Sequence, residues 1–324
     1  MRKILIVFAA IVAAVYVWNA SWRVSPPANA SVRLIAHRGV HQTYSREGLT
    51  NDTCTAERIF APTHTFLENT IPSMQAAFDA GADIVELDVH PTTDGQLAVL
   101  HDWTVDCRTN GKGVTREQTM AVLKALDIGH GYTADGGRTF PFRGKGVGLM
   151  PTLPEVLVAV PGRLLVNFKS NEAREGDMLA AVAAENLGWQ EAVWGVYGGD
   201  APTARAASLI PGARSWTRRG LVHCMTRYMA LGWTGYVPEA CRDTMVMVPV
   251  NIAPWLWGWP NLFQQRMRGA GSDIILLGPY GAGDPGTAGI DSAEEFARVP
   301  AAFDGYVWTN RIELIGPLAR RGSH

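Results

Sequence analysis

The chain reads as an α/β protein, a (β/α)8 TIM-type barrel with loop insertions on the C-terminal face of the strands. Three observations predict this. Short β-rich runs alternate with helical patterns along the chain after its N-terminal segment, which argues for a parallel sheet. The alternation repeats about eight times, which argues for a closed barrel over an open sheet. Two long stretches, 40–67 and 103–150, interrupt it directly after apolar runs, where barrels carry the loops of their C-terminal face.

The elements come in this order. Arg2 and Lys3 precede an apolar run at 4–18 that continues weakly to Trp22. This predicts residues 1–30 as a secretion signal or an N-terminal membrane anchor. Ala28-Asn29-Ala30 offers a small-x-small cleavage site, and the run is short of the roughly 20 residues a spanning helix wants. Either reading places the domain at 31–324 outside the cytoplasmic membrane, exported into a periplasmic or extracytoplasmic space, and anchored in the second case. Candidate strands are 32–36, 84–89, 97–100, 164–168, 192–196, 244–250, 274–277 and 305–308. Candidate helices are 71–80, 116–123, 153–160, 177–186, 202–209, 263–269 and 293–298. No internal repeat or low-complexity tract interrupts them.

Composition bounds the function. The 324 residues suit one barrel domain, and 47% hydrophobic against 18% charged residues allows a large core. A net charge of −1 gives no support for a basic nucleic-acid-binding face. Four cysteines in an oxidising compartment allow two disulfides in any of three connectivities. Their placement favours Cys54–Cys107 and Cys224–Cys241. No Cys-x-x-Cys spacing suggests zinc or redox work.

The residues that carry chemistry end apolar runs. Glu86 and Asp88 sit two apart on a predicted strand, so both face one side. Two such carboxylates repel unless a cation lies between them, and hard ions such as Mg2+ or Ca2+ take oxygen ligands. His37 and His101 each follow an apolar run, and imidazoles exchange protons near neutral pH. Arg38 offers a planar fork for phosphate oxygens, and Gly39 would let the backbone pass close to a ligand. Glu68 either touches the metal or orients Arg38. Asn69 reads as a polar brace or substrate contact, with helix capping by Asn69 or Thr70 the competing reading. Asn167 and Lys169 again share one strand face, and Lys169 would neutralise charge on a pentacoordinate transition state. Trp255, Trp257 and Trp259 form an aromatic stretch after a strand. It reads as a wall for a choline-like head group, as an interfacial anchor or as ordinary loop packing.

In order and context, Leu34-Ile35-Ala36-His37-Arg38-Gly39, Glu68-Asn69-Thr70, Glu86-Leu87-Asp88-Val89 and His101-Asp102 resemble the glycerophosphodiester phosphodiesterase family. The resemblance spans 32–310, is strong over 34–101 and weakens beyond Lys169. It implies a metal held by Glu86 and Asp88, and a general acid/base pair of His37 and His101 whose individual roles it leaves open. It also implies hydrolysis of glycerophosphodiesters to glycerol 3-phosphate and an alcohol, with a neighbouring glycerol hydroxyl as internal nucleophile. Two departures stand out. Asn167 occupies the place of a family glutamate that is the third metal ligand, and Asn310 follows Trp308-Thr309 where the family has Thr-Asp.

The expectation is therefore one divalent cation, Ca2+ or Mg2+, held by Glu86, Asp88, Glu68 and Asn167. Catalysis falls to His37, His101, Arg38 and Lys169, and substrate contact to Arg38, Lys169, Asn69 and Trp257. A small-molecule glycerophosphodiester is the substrate. Two rivals are lysophospholipase D-type or sphingolipid cleavage at a membrane, and a non-catalytic phospholipid-head-group binder with a weakened metal site.

Overall fold

The computed structural model describes residues 2–50, 53–281 and 288–321. Asn51 and Asp52 of the first insertion, and residues 322–324 of the predicted barrel domain, lie outside the described residues.

Among the described residues nine strands form: β1 (Val32–His37), β2 (Ile84–Pro91), β3 (Leu97–Val99), β4 (Arg163–Phe168), β5 (Val193–Gly198), β6 (Arg214–Ser215), β7 (Met245–Pro249), β8 (Asp273–Leu277) and β9 (Gly305–Thr309). Eight run in the order β6-β5-β4-β2-β1-β9-β8-β7, and all their pairings are parallel. Among the described residues no ladder joins β6 to β7, so the barrel is nearly closed. Side chains bridge that seam. The Thr244 hydroxyl donates to the Ser215 carbonyl at 2.8 Å, and Arg214 pairs with Asp273 at 2.7 Å.

The 97–100 run is not a barrel strand. β3 pairs antiparallel with the upper end of β2, Val89 opposite Val99 and Pro91 opposite Leu97. A parallel return needs a crossover of a dozen or more residues, and only the turn holding Asp94-Gly95 separates these strands. The true eighth strand is β6, which carries no apolar run. The helix Arg218–Leu231 was also not anticipated, because only Cys224 and Tyr228 of its fourteen residues are buried. Nor was Ile312–Arg321, which contains Pro317. The expected 116–123 helix divides into a 3-10 turn at Thr115–Glu117 and a helix at Met120–Ala125.

Strand alternation sorts the side chains. Leu34 and Ala36 of β1, and Val85, Leu87 and Val89 of β2, pack outward against the helices. Ile35, Ile84, Leu165, Met245, Met247 and Ile275 fill the barrel interior with Trp194, Tyr306 and Trp308. Burying a side chain of this size contributes about 1.5–3 kcal/mol. His37, Glu86 and Asn167 continue the inward series one step higher on their strands, and Asp88 two steps higher.

The two insertions have a core of their own. Ala56, Ile59 and Leu67 from the first pack with Val105, Met120, Leu123, Tyr132 and Phe142 from the second. The Cys54–Cys107 disulfide joins them, and Cys224–Cys241 is also present. Closing a loop of 53 residues is worth about 4 kcal/mol in the chain-entropy picture.

Candidate active site

Register brings the site together at the C-terminal strand ends. His37 of β1 lies opposite Glu86 of β2, and Asn167 of β4 lies opposite both Asp88 of β2 and Tyr197 of β5. Glu86 and Asp88 are fully buried. Above them opens a cavity of about 630 Å3, lined in part by Arg38, Tyr44, His101, Asn167 and Lys169. Tyr44 also lines an adjoining cavity of about 270 Å3, shared with His41 and Asn310.

The chain leaves β1 through two left-handed residues, Arg38 at φ +59° and Gly39 at φ +78°. A non-glycine residue with positive φ is uncommon and concentrates where function fixes the backbone. The glycine is needed for packing on the next helix. A Cβ there would come within 2.6 Å of the Ser73 hydroxyl and 2.8 Å of its backbone, so the close neighbour is Ser73 and not a ligand. Asn69 is likewise left-handed, at φ +58°. Thr70 caps the helix Ile71–Ala80 through a capping box with Ser73.

Both imidazoles are oriented through Nδ1. His37 Nδ1–H donates to Asn310 Oδ1 at 2.6 Å, and His101 Nδ1–H donates to Asp102 Oδ1 at 2.8 Å. These bonds leave each Nε2 as the free basic nitrogen. His37 Nε2 lies 3.8 Å from Glu86 Oε2. Asn310 is itself braced by Asp291, which accepts from its backbone N–H at 2.6 Å and from its amide at 2.8 Å. Burial, and then Arg38, hold His37 well below its usual pKa. Burial, Arg38 and Lys169 lower His101.

The carboxylates divide into two kinds. Glu86 accepts from the Tyr197 hydroxyl at 2.6 Å and from the Arg38 N–H at 3.2 Å. Burial, and then the adjacent Asp88, push its carboxyl up to about 8. Asp88 is held well below its usual value: burial opposes this, but Lys169 and Arg38 prevail. Arg38 Nε lies 3.2 Å and Lys169 Nζ 3.5 Å from its oxygens. Asn69 and Asn167 donate to it at 2.9 and 2.8 Å.

Four placements correct the sequence reading. Of the two roles read for Glu68, metal ligand or orienter of Arg38, its contacts fit the second: guanidinium groups engage both its oxygens, Arg38 at 3.0 Å and Arg108 at 3.1 Å. Burial opposes ionisation there, but Arg108 and Arg38 keep the carboxyl low. Asn69 bonds Asp88 through both the oxygen and the nitrogen of its amide, which fits the brace read for it in place of the substrate contact. Asn167 turns its amide nitrogen, not its carbonyl, to Asp88. Trp257 is away from the cavity, its indole N–H donating to the Met229 carbonyl at 2.8 Å on the outer helix Arg218–Leu231.

Sequence reading missed Arg108, Tyr197 and the bracing of Asp102. Arg108 NH1 donates to Tyr132 at 2.7 Å and NH2 to Thr55 at 2.7 Å. Its neighbour Cys107 was the available signal, since a bridge from Cys107 to Cys54 carries Arg108 to Thr55. Tyr197 ends an apolar run just as Asn167 does.

A divalent cation is testable against this donor set. Among the described residues no group of three or more His, Cys, Asp or Glu side chains is arranged to hold a metal ion. Two oxygen-bearing carboxylates on one strand face, one of them destabilised by burial and by the other, nevertheless suit a hard ion that retains much of its water.

The model of the glycerophosphoryl diester phosphodiesterase family matches residues 37–199, half of the chain. A glycerophosphodiester phosphodiesterase of Caldanaerobacter subterraneus is 50% identical over 121 residues, which cover 37% of this chain and 45% of that protein. One from Bacillus subtilis is 42% identical over 93 residues, 28% of this chain and 30% of that protein. The chain thus spans less than half the length of these curated relatives. Crystal structures agree in fold. The glycerophosphoryl diester phosphodiesterase domain of a Mycobacterium tuberculosis protein gives a TM-score of 0.61 at 15% identity over 89% of this chain and 99% of that one. An Oleispira antarctica phosphodiesterase in complex with the product sn-glycerol-3-phosphate gives 0.52 at 16% identity over 89% and 96%. The chain belongs to the glycerophosphoryl diester phosphodiesterase family.

Proposed function

We propose that this chain hydrolyses glycerophosphodiesters to glycerol 3-phosphate and an alcohol, with help from a divalent cation. One observation carries the reading. Two imidazoles with fixed Nδ1–H bonds flank a carboxylate pair, with Arg38 and Lys169 beside it. The Oleispira antarctica phosphodiesterase of like fold, in complex with its product sn-glycerol-3-phosphate, supports the same substrate class.

Glu86 and Asp88 would hold the cation, with Asn167 next to them. Mg2+ or Ca2+ suits these oxygens, and a two-carboxylate set is nearer the habit of Mg2+. The bound ion would supply Lewis-acid polarisation of the phosphoryl oxygens. Arg38 and Lys169 bind the phosphate oxygens and offset the charge that builds on them. His37, buried and neutral, accepts at Nε2 the proton of the neighbouring glycerol hydroxyl as it attacks phosphorus, giving a cyclic phosphate that water then opens to glycerol 3-phosphate. His101 lines the cavity and has a carboxylate to support its imidazolium, so it returns a proton to the leaving alcohol oxygen at Nε2. Asn310 and Asp102 fix the two tautomers.

Trp257, read as a head-group contact, lies away from the cavity and so gives no preference for a lipid over a water-soluble diester. Assaying glycerophosphocholine beside lysophosphatidylcholine, each with and without chelator, tests the proposal. Chelator-sensitive release of glycerol 3-phosphate from the soluble diester is expected. Cleavage of the lysolipid alone overturns the substrate assignment, and no cleavage of either with Mg2+ or Ca2+ returns the chain to a binding role.

A further inference from the structure

The helix Arg2–Trp18 stands outside the barrel with none of its described residues buried. Ile4, Leu5, Ile6 and Val7 are each more than half exposed, and as consecutive residues of a 3.6-residue turn they cover every side of the helix. A helix that is apolar all round wants an apolar surrounding on every side. The residues directly after the helix differ in kind. Asn19 and Ala20 are buried on the barrel, at 7% and 5% exposure.

That junction is built from specific polar contacts. Asn19 donates from its amide to the Trp233 carbonyl at 2.8 Å, and Arg266 donates to Asn19 Oδ1 at 3.1 Å and to the Gly232 carbonyl at 3.0 Å. The Asn261 backbone N–H donates to the Ser21 hydroxyl at 3.0 Å, and its amide to the Val24 carbonyl at 3.2 Å. A leader destined for removal at Ala30 would take all of these with it, leaving the Arg266 guanidinium without Asn19.

Topology fixes which end of the barrel carries the junction. The helix Arg218–Leu231 descends from the C-terminal end of β6, and Gly232–Thr234 begins the return to the start of β7. Trp233 therefore lies toward the N-terminal strand ends. The imidazoles and carboxylates lie at the C-terminal ends. Trp18, Trp22, Trp233 and Tyr236 are all exposed beside the junction, a set of aromatics of the kind that sits at head-group level.

We propose that Arg2–Trp18 is a retained anchor embedded in a lipid bilayer, bonded to the lower rim of the barrel so that the catalytic mouth faces away from the membrane. At 17 residues the helix is about 26 Å long, slightly under the roughly 30 Å hydrocarbon core. No helix among the described residues is long and apolar enough by itself to cross a membrane. Thinning of the bilayer and snorkelling of Arg2 and Lys3 to anionic head groups accommodate the difference. The orientation is independent of the chemistry assigned to the mouth.

The test uses the full chain, expressed with its export route intact. Intact mass should show a chain retaining the helix, in the membrane fraction and floating with phosphatidylethanolamine/phosphatidylglycerol vesicles. A soluble chain beginning at Ser31 overturns retention. Fluorophores are then placed through an encoded azide at position 239 or 112, whose native side chains are 88% and 82% exposed at the lower rim and on the upper insertion. Energy transfer to an acceptor lipid should be several-fold stronger from 239, and equal or reversed transfer overturns the orientation. Last, trypsin should cut at Arg23 several-fold faster in an Asn19→Leu, Arg266→Met variant than in the parent. Equal rates overturn the bonded junction.

Discussion

Arg108 Nε lies 2.9 Å from Asp102 Oδ2, with the guanidinium buried and the carboxylate nearly so. The same guanidinium reaches Glu68, so one buried cation braces the partner of His101 and the partner of Arg38 together. Arg108→Met leaves both carboxylates short of charge, which for buried pairs costs about 3–5 kcal/mol. With that positive charge gone, the His101 imidazolium becomes easier to form. The alkaline limb of the kcat/KM profile should move to higher pH while KM changes little. An unmoved limb contradicts the positioning role.

His37→Ala and His101→Ala should each lower kcat by about 10^2–10^4-fold, the usual scale for general acid–base groups. Circular dichroism and unfolding midpoints should stay near those of the parent. Turnover within a few-fold of the parent in either variant removes that imidazole from the mechanism.

Asn167 stands opposite Asp88 with its amide nitrogen toward the carboxylate. Asn167→Glu adds a third acidic oxygen donor beside Glu86 and Asp88. Calorimetric titration with Mg2+ should show tighter binding than in the parent. Unchanged affinity places residue 167 outside the coordination of the ion.

Burial holds several histidines neutral, lowering His90 to about 4 and His41 in the same direction. Unfolding restores an ordinary imidazole that takes up a proton near pH 6.5. Between pH 6.5 and 4 the unfolded chain binds more protons, so stability is full above 6.5 and falls as the pH drops. His90 alone accounts for about 3 kcal/mol of this. Denaturant unfolding of His90→Phe across that range should show a shallower acid decline. An identical decline contradicts the assignment.

Much of the upper barrel was legible because its signal is local. His37, Glu86 and Asp88 end apolar strands whose alternation sets their direction, and the structure puts them side by side. β6 was not legible, since two residues beside Pro211-Gly212 carry no periodicity and pairing with β5 alone makes them a strand. The 97–100 run was apolar for another reason, burial beneath the insertions, and Asp94-Gly95 already marked it as a hairpin. Glu68 and Asn69 were located with two roles left open for each, and the structure places Glu68 on Arg38 and Asn69 as a brace on Asp88. What decides their partners is Arg108, forty residues away in an insertion, and the left-handed backbone at Arg38 and Asn69. Both disulfides followed from placement alone, whereas the position of Trp257 depended on how the chain descends outside the barrel after β7.

The proposed catalysis has Glu86 and Asp88 share a cation within reach of both imidazoles. The most direct measurement is glycerophosphocholine hydrolysis followed by phosphorus NMR on protein stripped with EDTA, then titrated with Mg2+ or Ca2+. Turnover should vanish on stripping and return with the added ion, glycerol 3-phosphate being the phosphorus-containing product. An undiminished rate on metal-free protein would contradict the shared cation.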